Sequence, residues 1–208
     1  ETYIVFGNRE GFDASFNLSQ LDGSNGFVIN GIDRYDFSGS AVSNAGDING
    51  DGFDDLIIGA VLATPNGNFR AGETYIVFGK SGGFDATLNL SQLNGSNGFV
   101  LNGIDENDYS GGAVSSAGDI NGDGIDDLII GTPYADPNGN FRAGETYVVF
   151  GNANQAPQLD LNGDMAGSDA ALVTFLGVEV PIVNRTNFTL TDPDSTTLEQ
   201  ATVTITNL

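Results

Sequence analysis

The sequence lacks the side chains that most catalytic and zinc sites require. Its 208 residues include no Cys, no His and no Trp. A Ser-His-Asp triad, a Cys nucleophile and a zinc site built from nitrogen and sulfur ligands are therefore excluded. No disulfide framework can form either, so the redox compartment cannot be read from thiols.

Basic side chains are also scarce. Six Lys and Arg stand against 28 Asp and Glu, which gives a formal net charge of −22. Nucleic acid is a poor partner, because its binding depends on Lys and Arg that neutralise phosphates. An anionic membrane surface would repel this chain, and no apolar run of about 18 residues predicts membrane insertion. No signal peptide is recognisable, and Glu1 opens a strand-like run, which suggests a processed or excised piece.

The excess of carboxylates has two interpretations, a solvated or disordered acidic chain and a set of cation sites. Disorder is disfavoured, because 39% of the residues are hydrophobic and 10% are aromatic, more than disordered chains carry. The positions of the acids along the chain therefore decide between a plain acidic surface and cation binding.

An internal repeat of 72 residues organises most of the chain. The run that begins Glu1-Thr2-Tyr3 returns at Glu73 and again at Glu145, with no insertion between the copies. A fixed period of this length is typical of repeat architectures such as propellers and solenoids. It shows that a unit was duplicated.

Each repeat contains several short β-rich runs bounded by glycine, and no long apolar stripe of helical period. Four short strands per repeat predict one blade of a β-propeller. We expect residues 1–32 to supply the last two strands of one blade, 36–104 a complete blade and 108–151 three strands of the next. The segment 86–93 fits a strand and a single helical turn equally well.

This chain holds little more than two blades, whereas a closed propeller needs about four to eight. We expect it to be part of a larger protein, although assembly with copies of itself would also complete a ring. The predicted fold class is all-β, a partial β-propeller over 1–151 followed by an incomplete β-sandwich segment.

The densest acidic segments occupy equivalent places in the two repeats, Asp47 to Asp55 and Asp119 to Asp127, with the pattern D-x-N-x-D-G-x-x-D. Side chains at positions 1, 3 and 5 of a tight loop can point inward, and Gly at position 6 permits the turn. The backbone carbonyl at position 7 and the carboxylate at position 9 complete an oxygen shell that suits Ca²⁺. The predicted ligands are Asp47, Asn49, Asp51, the Phe53 carbonyl and Asp55, and Asp119, Asn121, Asp123, the Ile125 carbonyl and Asp127.

An alternative is that Asp, Asn and Gly merely favour turns here. Three carboxylates within nine residues would repel one another without a cation, and the same register in both repeats favours a site. Mg²⁺ suits the loops less well, because it prefers octahedral geometry and keeps several waters. Position 8, Asp54 and Asp126, is expected to point outward.

These loops, together with Ser38-Gly39 and Gly59-Ala60, and with Ser110-Gly111 and Gly131-Thr132-Pro133, resemble the FG-GAP repeats of integrin-α-like β-propellers. The resemblance covers about 1–151, and the 72-residue unit looks most like FG-GAP arrays of large bacterial secreted proteins. It implies that calcium is structural, on the underside of the blades, and that partners bind loops elsewhere.

The composition changes after Gly151. Residues 152–157 read as a linker, and 158–208 contain alternating runs that resemble the start of a cadherin- or Ig-like sandwich, which needs about 100 residues when complete. Asp160, Asn162 and Asp164 repeat half of the cation pattern, which fits an ordinary turn as well as calcium. Asp192 and Asp194 could bridge a cation between tandem sandwiches.

These features predict a calcium-binding, secreted or cell-surface adhesion module that binds an extracellular protein or glycan through loops on a rigid scaffold. The aromatic candidates for that contact also fit core positions; they are Tyr35, Phe69, Tyr109, Tyr134 and Phe141. The alternatives are a structural spacer of a large surface protein and an accessory propeller of a secreted polymer-degrading enzyme. We expect no catalysis in this chain, because its clustered carboxylates are assigned to calcium.

Overall fold

The structure, a computed structural model, describes residues 1–9 and 11–152, and the strand residues 158–160 and 189–191. The chain divides into two compact units, 1–153 and 154–208. In the described residues every regular element is a β-strand or a single 3-10 turn. The all-β fold class with partial propeller blades is therefore confirmed.

Twelve strands lie within the described residues. They are β1 Thr2–Val5, β2 Gly26–Asn30, β3 Ser38–Gly46, β4 Asp55–Ala60, β5 Glu73–Val77, β6 Thr87–Asn89, β7 Gly98–Asn102, β8 Ala113–Gly118, β9 Asp127–Thr132, β10 Glu145–Val149, β11 Gln158–Asp160 and β12 Thr189–Thr191. The 3-10 turns are Leu18–Gln20, Pro65–Gly67, Leu90–Gln92 and Pro137–Gly139.

The complete blade is the antiparallel sheet β3-β4-β5-β7, as the repeat predicts. Its register pairs Ile57 with Ile76 and Tyr75 with Val100. The strands β4 and β5 are almost wholly buried, because both faces of this sheet are covered. Fully buried strands read as continuous apolar runs rather than alternating ones, which explains the sequence of β4.

The incomplete blades flank the complete one. β1 and β2 pair antiparallel, and β8, β9 and β10 form a three-stranded antiparallel sheet. The four-stranded blade within 36–104 and the three strands of 108–151 pair as predicted. β6 belongs to the first sheet, where it pairs in parallel with β2, so segment 86–93 is both a strand and the following 3-10 turn.

Two apolar clusters hold the blades together. The first joins Phe27 and Ile29 of the first sheet to Ile58, Tyr75 and Val77 of the complete blade. The second joins Ile57 and Ile76, on the other face of that blade, to Leu128 and Ile130 of the third sheet. Burial of each of these side chains stabilises the fold by about 1.5–3 kcal/mol. The core of this unit therefore lies between blades.

In the second unit the described strands β11 and β12 pair antiparallel, with Leu159 opposite Leu190. The rest of the predicted sandwich and the linker residues 153–157 lie outside the described residues. The cation patterns at Asn162, Asp164, Asp192 and Asp194 lie outside them too. None of the described residues belongs to a helix that is long and apolar enough to cross a membrane.

Candidate metal centre

The two Asp-rich loops connect the first and second strands of their blades. The first joins β3 to β4, and the second joins β8 to β9. In both, the strand pairing shifts register just before the loop, between Asn44 and Gly46 and between Ser116 and Gly118. Such irregularities bend a strand, and here they turn the chain into the loop at the same point of each repeat.

Hydrogen bonds from the loop backbone fix the side chains of the first loop. The Asp51 N–H donates to Asp47 Oδ1 and to Asn49 Oδ1, both at 2.9 Å, and Gly52 N–H donates to Asp47 Oδ2 at 2.8 Å. Phe53 N–H donates to Asp51 Oδ1 at 2.9 Å. Because Asp47 and Asn49 accept from one N–H, two of the predicted ligand oxygens lie close together.

The second loop repeats this arrangement. Asp123 N–H donates to Asp119 Oδ1 at 3.1 Å and to Asn121 Oδ1 at 2.9 Å, and Gly124 N–H donates to Asp119 Oδ2 at 2.8 Å. Ile125 N–H donates to Asp123 Oδ1 at 2.9 Å. These bonds favour the ionised form, and they hold the pKa of Asp119 below its usual value, with the Gly124 bond as the largest cause.

Glycine is required at position 6 of both loops by backbone conformation. Gly52 has φ of 88° and Gly124 has φ of 90°, in the left-handed region that strains other residues. Neither position has a neighbour that would obstruct a side chain. The sequence rule for position 6 therefore reflects the turn, not crowding.

The carboxylates at position 9 are buried at the base of the loops. Asp55 accepts from Ile48 N–H at 3.1 Å and from Gly79 N–H at 2.8 Å, and Asp127 accepts from Ile120 N–H and Gly151 N–H, both at 2.9 Å. Burial raises the pKa of Asp55 to about 6, the two backbone bonds oppose this, and the charges of Asp51 and Asp47 add to it. Each carboxylate thus ties its loop to the second residue after the third strand of the blade.

The donor chemistry of the loops fits a hard cation, since every side chain in the predicted set offers oxygen. The geometry fits only in part. No three acidic side chains within the described residues stand close enough to hold a metal ion, and Asn49 Nδ2 donates to Asp51 Oδ2 at 3.1 Å. Both oxygens of Asp55 already accept backbone bonds. Calcium at these residues therefore stays a prediction.

At position 8, Asp54 is exposed as predicted, whereas Asp126 contacts the other loop. Asp126 Oδ2 accepts from the N–H of Asp47 in the other loop at 3.0 Å, and Asp126 N–H donates to Asp47 O at 3.3 Å. Asp54 accepts from Asn44 Nδ2 at 3.4 Å. Asp126 thus links the second loop to the start of the first, a contact between blades that spacing within one repeat cannot reveal.

The opposite end of the blades carries a second group of carboxylates, which the sequence analysis did not single out. Asp108 is 7% exposed. Burial raises its pKa, and the charges of Asp105, Asp136 and Glu145 raise it further. Burial also raises the pKa of Glu73, which accepts a hydrogen bond from Tyr75.

The aromatic candidates are mostly exposed, so the core alternative is wrong for four of them, Tyr35, Phe69, Tyr134 and Phe141. Tyr109 is half-buried and meets Tyr134 edge-on, with ring centroids 5.1 Å apart. Arg70 lies over Phe69, and Arg142 over Phe141 and Tyr134. These rings remain available for contact with another molecule.

Two segments of the chain, 38–77 and 110–149, match the family model of the FG-GAP repeat. The first segment begins with β3, and the second begins shortly before β8. Each contains the Asp-rich loop and ends with the third strand of its sheet. The expected resemblance to FG-GAP repeats is therefore confirmed for these two segments.

Several curated proteins are similar to part of this chain. Integrin alpha-5 of Xenopus laevis is 28% identical over 68% of this chain, and integrin alpha-PS2 of Drosophila melanogaster is 30% identical over 62%. Phosphatidylinositol-glycan-specific phospholipase D of Mus musculus is 31% identical over 53%. The matched regions are 14%, 9% and 13% of those proteins, so this chain spans a small part of their length.

Proposed function

We propose that this chain, which carries two FG-GAP repeats, is a calcium-stabilised extracellular interaction module of adhesion type. The observation that carries the proposal is the matching arrangement of both Asp-rich loops, where backbone N–H groups donate to the side-chain oxygens of positions 1, 3 and 5. Similarity to integrin alpha chains supports the adhesion class.

Calcium would be held by Asp47, Asn49 and Asp51 in the first loop and by Asp119, Asn121 and Asp123 in the second, with the Phe53 and Ile125 carbonyls and Asp55 and Asp127 completing the shells. The ion would supply the positive charge that offsets these carboxylates. An ion that only the folded state binds stabilises by mass action, about 3 kcal/mol when free Ca²⁺ is a hundredfold above its Kd.

The partner we propose is an extracellular protein or glycan, met by loops on the rigid blades, and the location is secreted or cell surface. The exposed rings of Phe69 and Phe141 with their neighbouring arginines support such a contact, since aromatic and Arg side chains dominate binding surfaces. The 72-residue unit favours a large bacterial secreted protein, and the pattern after residue 157 favours a cadherin-like module.

A second candidate function is that of an accessory propeller in a secreted polymer-degrading enzyme. The similarity to a phospholipase D favours it. A spacer role in a large surface protein is a further alternative. In each case we expect catalysis to lie outside this chain.

Thermal unfolding during a calcium titration tests the metal proposal. We expect millimolar Ca²⁺ to raise Tm, and Asp47→Ala with Asp119→Ala to abolish the rise. Asp85→Ala is the matched control, because Asp85 is exposed and lies outside both loops. A Tm that Ca²⁺ leaves unchanged in the parent chain would refute the calcium proposal.

A binding screen against glycans and matrix proteins separates adhesion from a spacer role. We expect binding that weakens when Phe69 and Phe141 are both replaced by Ala, with Tm preserved. Absence of any ligand for the protein in its full natural length would favour the spacer.

A further inference from the structure

The two Asp-rich loops contain the same Asn-Gly pair in different surroundings. Residues 45–52 and 117–124 are identical in sequence. Asn49 of the first loop is 6% exposed, whereas Asn121 and Gly122 of the second loop are both exposed. Because the neighbouring residues in the chain are the same, any difference in reactivity between these two asparagines comes from the tertiary structure.

An Asn-Gly pair carries both partners of an intramolecular acyl transfer. The backbone nitrogen of the glycine can attack Cγ of the preceding side-chain amide, because glycine has no Cβ atom to hinder the approach. Such a step is helped by a group that accepts the N–H proton, by a donor to the amide oxygen where negative charge develops, and by a partner for the leaving amine. The second loop offers a group at each of these three points.

Hydrogen bonds within the second loop surround the reacting atoms. Gly122 N–H donates to Asp119 Oδ1 at 2.7 Å, so a carboxylate stands where the proton would leave. Asp123 N–H donates to Asn121 Oδ1 at 2.9 Å, which polarises the carbonyl under attack. Asn121 Nδ2 donates to Asp123 Oδ2 at 2.8 Å, so the leaving amine also has a partner.

The first loop differs from the second in two ways. Within the described residues, no carboxylate accepts from the N–H of Gly50. The first loop is also held by the third blade, since Asn152 N–H donates to Ile48 O at 3.0 Å. Asp126 adds two hydrogen bonds to Asp47. These contacts restrict the backbone motion that would bring the glycine nitrogen to Cγ, so the first loop is the protected copy.

We propose that Asn121 is a site of spontaneous deamidation, whereas Asn49 is protected. Gly122 N attacks Asn121 Cγ, and its proton passes to the Asp119 carboxylate. The new N–C bond closes a succinimide ring, the Cγ–Nδ2 bond breaks, and the amine takes up that proton and leaves as ammonia. Water then adds to either carbonyl of the ring, which gives aspartate or isoaspartate at position 121.

The modification would change the second loop and leave the first loop intact. Either product adds a negative charge at position 3 of the loop, and isoaspartate also lengthens the backbone by one methylene group. Every group in the reaction belongs to this chain or is water, so the reaction needs no metal ion. All measurements are therefore made in EDTA, where failure of this proposal is distinct from failure of the calcium proposal.

The reaction is followed in the full chain at neutral pH by peptide mass spectrometry and by enzymatic methylation of isoaspartate. We expect Asn121 to convert at least about tenfold faster than Asn49, since a positioned proton acceptor contributes that much or more. In concentrated urea the two asparagines should convert at the same rate, because the residues around them are identical. This comparison needs no substitution, so it does not depend on the folding of a variant.

Asp119→Asn tests the proton acceptor. The new side chain keeps an oxygen for the Gly122 N–H but cannot take its proton, so we expect conversion of Asn121 to slow at least about tenfold. Asp47→Asn is the matched control and should not slow conversion of Asn49, because that carboxylate does not accept from the glycine of its own Asn-Gly pair. Both substitutions alter the bond from the glycine at position 6, so the pair separates loss of the acceptor from loosening of the loop.

Three results would overturn the proposal. Equal rates at both asparagines in the folded chain would show that their surroundings do not decide the reaction. Aspartate without isoaspartate would show that water attacks the side-chain amide directly, with no succinimide. An unchanged rate at Asn121 in folded Asp119→Asn would remove Asp119 from the reaction.

Discussion

The acidic residues of the loops fall into two physical classes. Those at positions 1 and 5 are acceptors for N–H groups of their own loop. Asp55 and Asp127 are buried, and each accepts one bond from its loop and one from a residue beyond the third strand of the blade, Gly79 or Gly151. A buried acceptor that satisfies two N–H groups stabilises the fold with or without a cation. Removing the carboxylate at position 9 should therefore change stability differently from removing the carboxylate at position 1.

Asp55→Ala is expected to lower the unfolding free energy in calcium-free buffer by about 3 kcal/mol, because it leaves the Ile48 and Gly79 N–H groups buried and unpaired. Asp47→Ala is expected to cost far less there and to act mainly on the calcium response. Urea unfolding with EDTA measures both. Equal losses for the two variants would contradict this division.

Asp108 gives a prediction about pH. Its pKa is raised in the folded state, so ionisation costs stability: the contribution of the protonated group is present at low pH and is lost as pH rises through the folded pKa. We expect Asp108→Asn to raise Tm at pH 7 and to bring no gain at a pH where Asp108 is protonated. Asp85→Asn is the exposed control, and a gain at both pH values would rule out titration as the cause.

At the scale of elements, the two loops are alike in sequence but not in surroundings. Asn49 is buried, and Asn121 is exposed. The first loop is covered because Asp126 accepts from Asp47 N–H, and because Asn152 N–H donates to Ile48 O at 3.0 Å. An element of the third blade thus completes the loop of the blade before it.

Asp126→Ala is expected to lower the unfolding free energy by about 1–2 kcal/mol, because Asp47 N–H loses its acceptor. Asp54→Ala, the same position in the other repeat, is expected to have little effect, since Asp54 is exposed and its contact with Asn44 is long. Thermal melts of the two variants and the parent chain provide the comparison. A larger loss for Asp54→Ala would refute a linking role for Asp126.

At the scale of the whole first unit, stability depends on contacts between blades. Both apolar clusters lie between sheets, and the Ser110-Gly111 turn fits where Gly59 and Gly72 leave space. A repeat protein of this kind gains stability from each interface between neighbours. A small change at such an interface should therefore affect the entire unit.

Gly59→Ala is expected to destabilise the chain by about 2 kcal/mol or more, because its methyl group would overlap the Gly111 carbonyl oxygen and force a shift. Gly131→Ala, the same change at the equivalent open position, is expected to be nearly neutral. Chemical unfolding of the two variants tests the difference. Similar losses for both would show that local backbone preference, not the neighbouring blade, decides the cost.

Most of the blade pattern could be predicted from the sequence. The 72-residue period with its glycine punctuation correctly predicted the four strands of the complete blade and the three of 108–151, because strand patterning is local. The parallel pairing of β2 with β6 could not be predicted in this way, since it joins residues such as Val28 and Thr87 that no local pattern connects.

The candidate site, too, could be predicted from the sequence only in part. By itself the sequence determined which side chains line each loop and why glycine stands at position 6, because both follow from spacing and backbone conformation within nine residues. Only the tertiary structure decided that Asp126 bonds to Asp47, that Asp55 reaches Gly79, and that Ile57 is buried while Ile129 is exposed. These contacts join different strands or blades, and they exist only where the folded sheets bring those residues together.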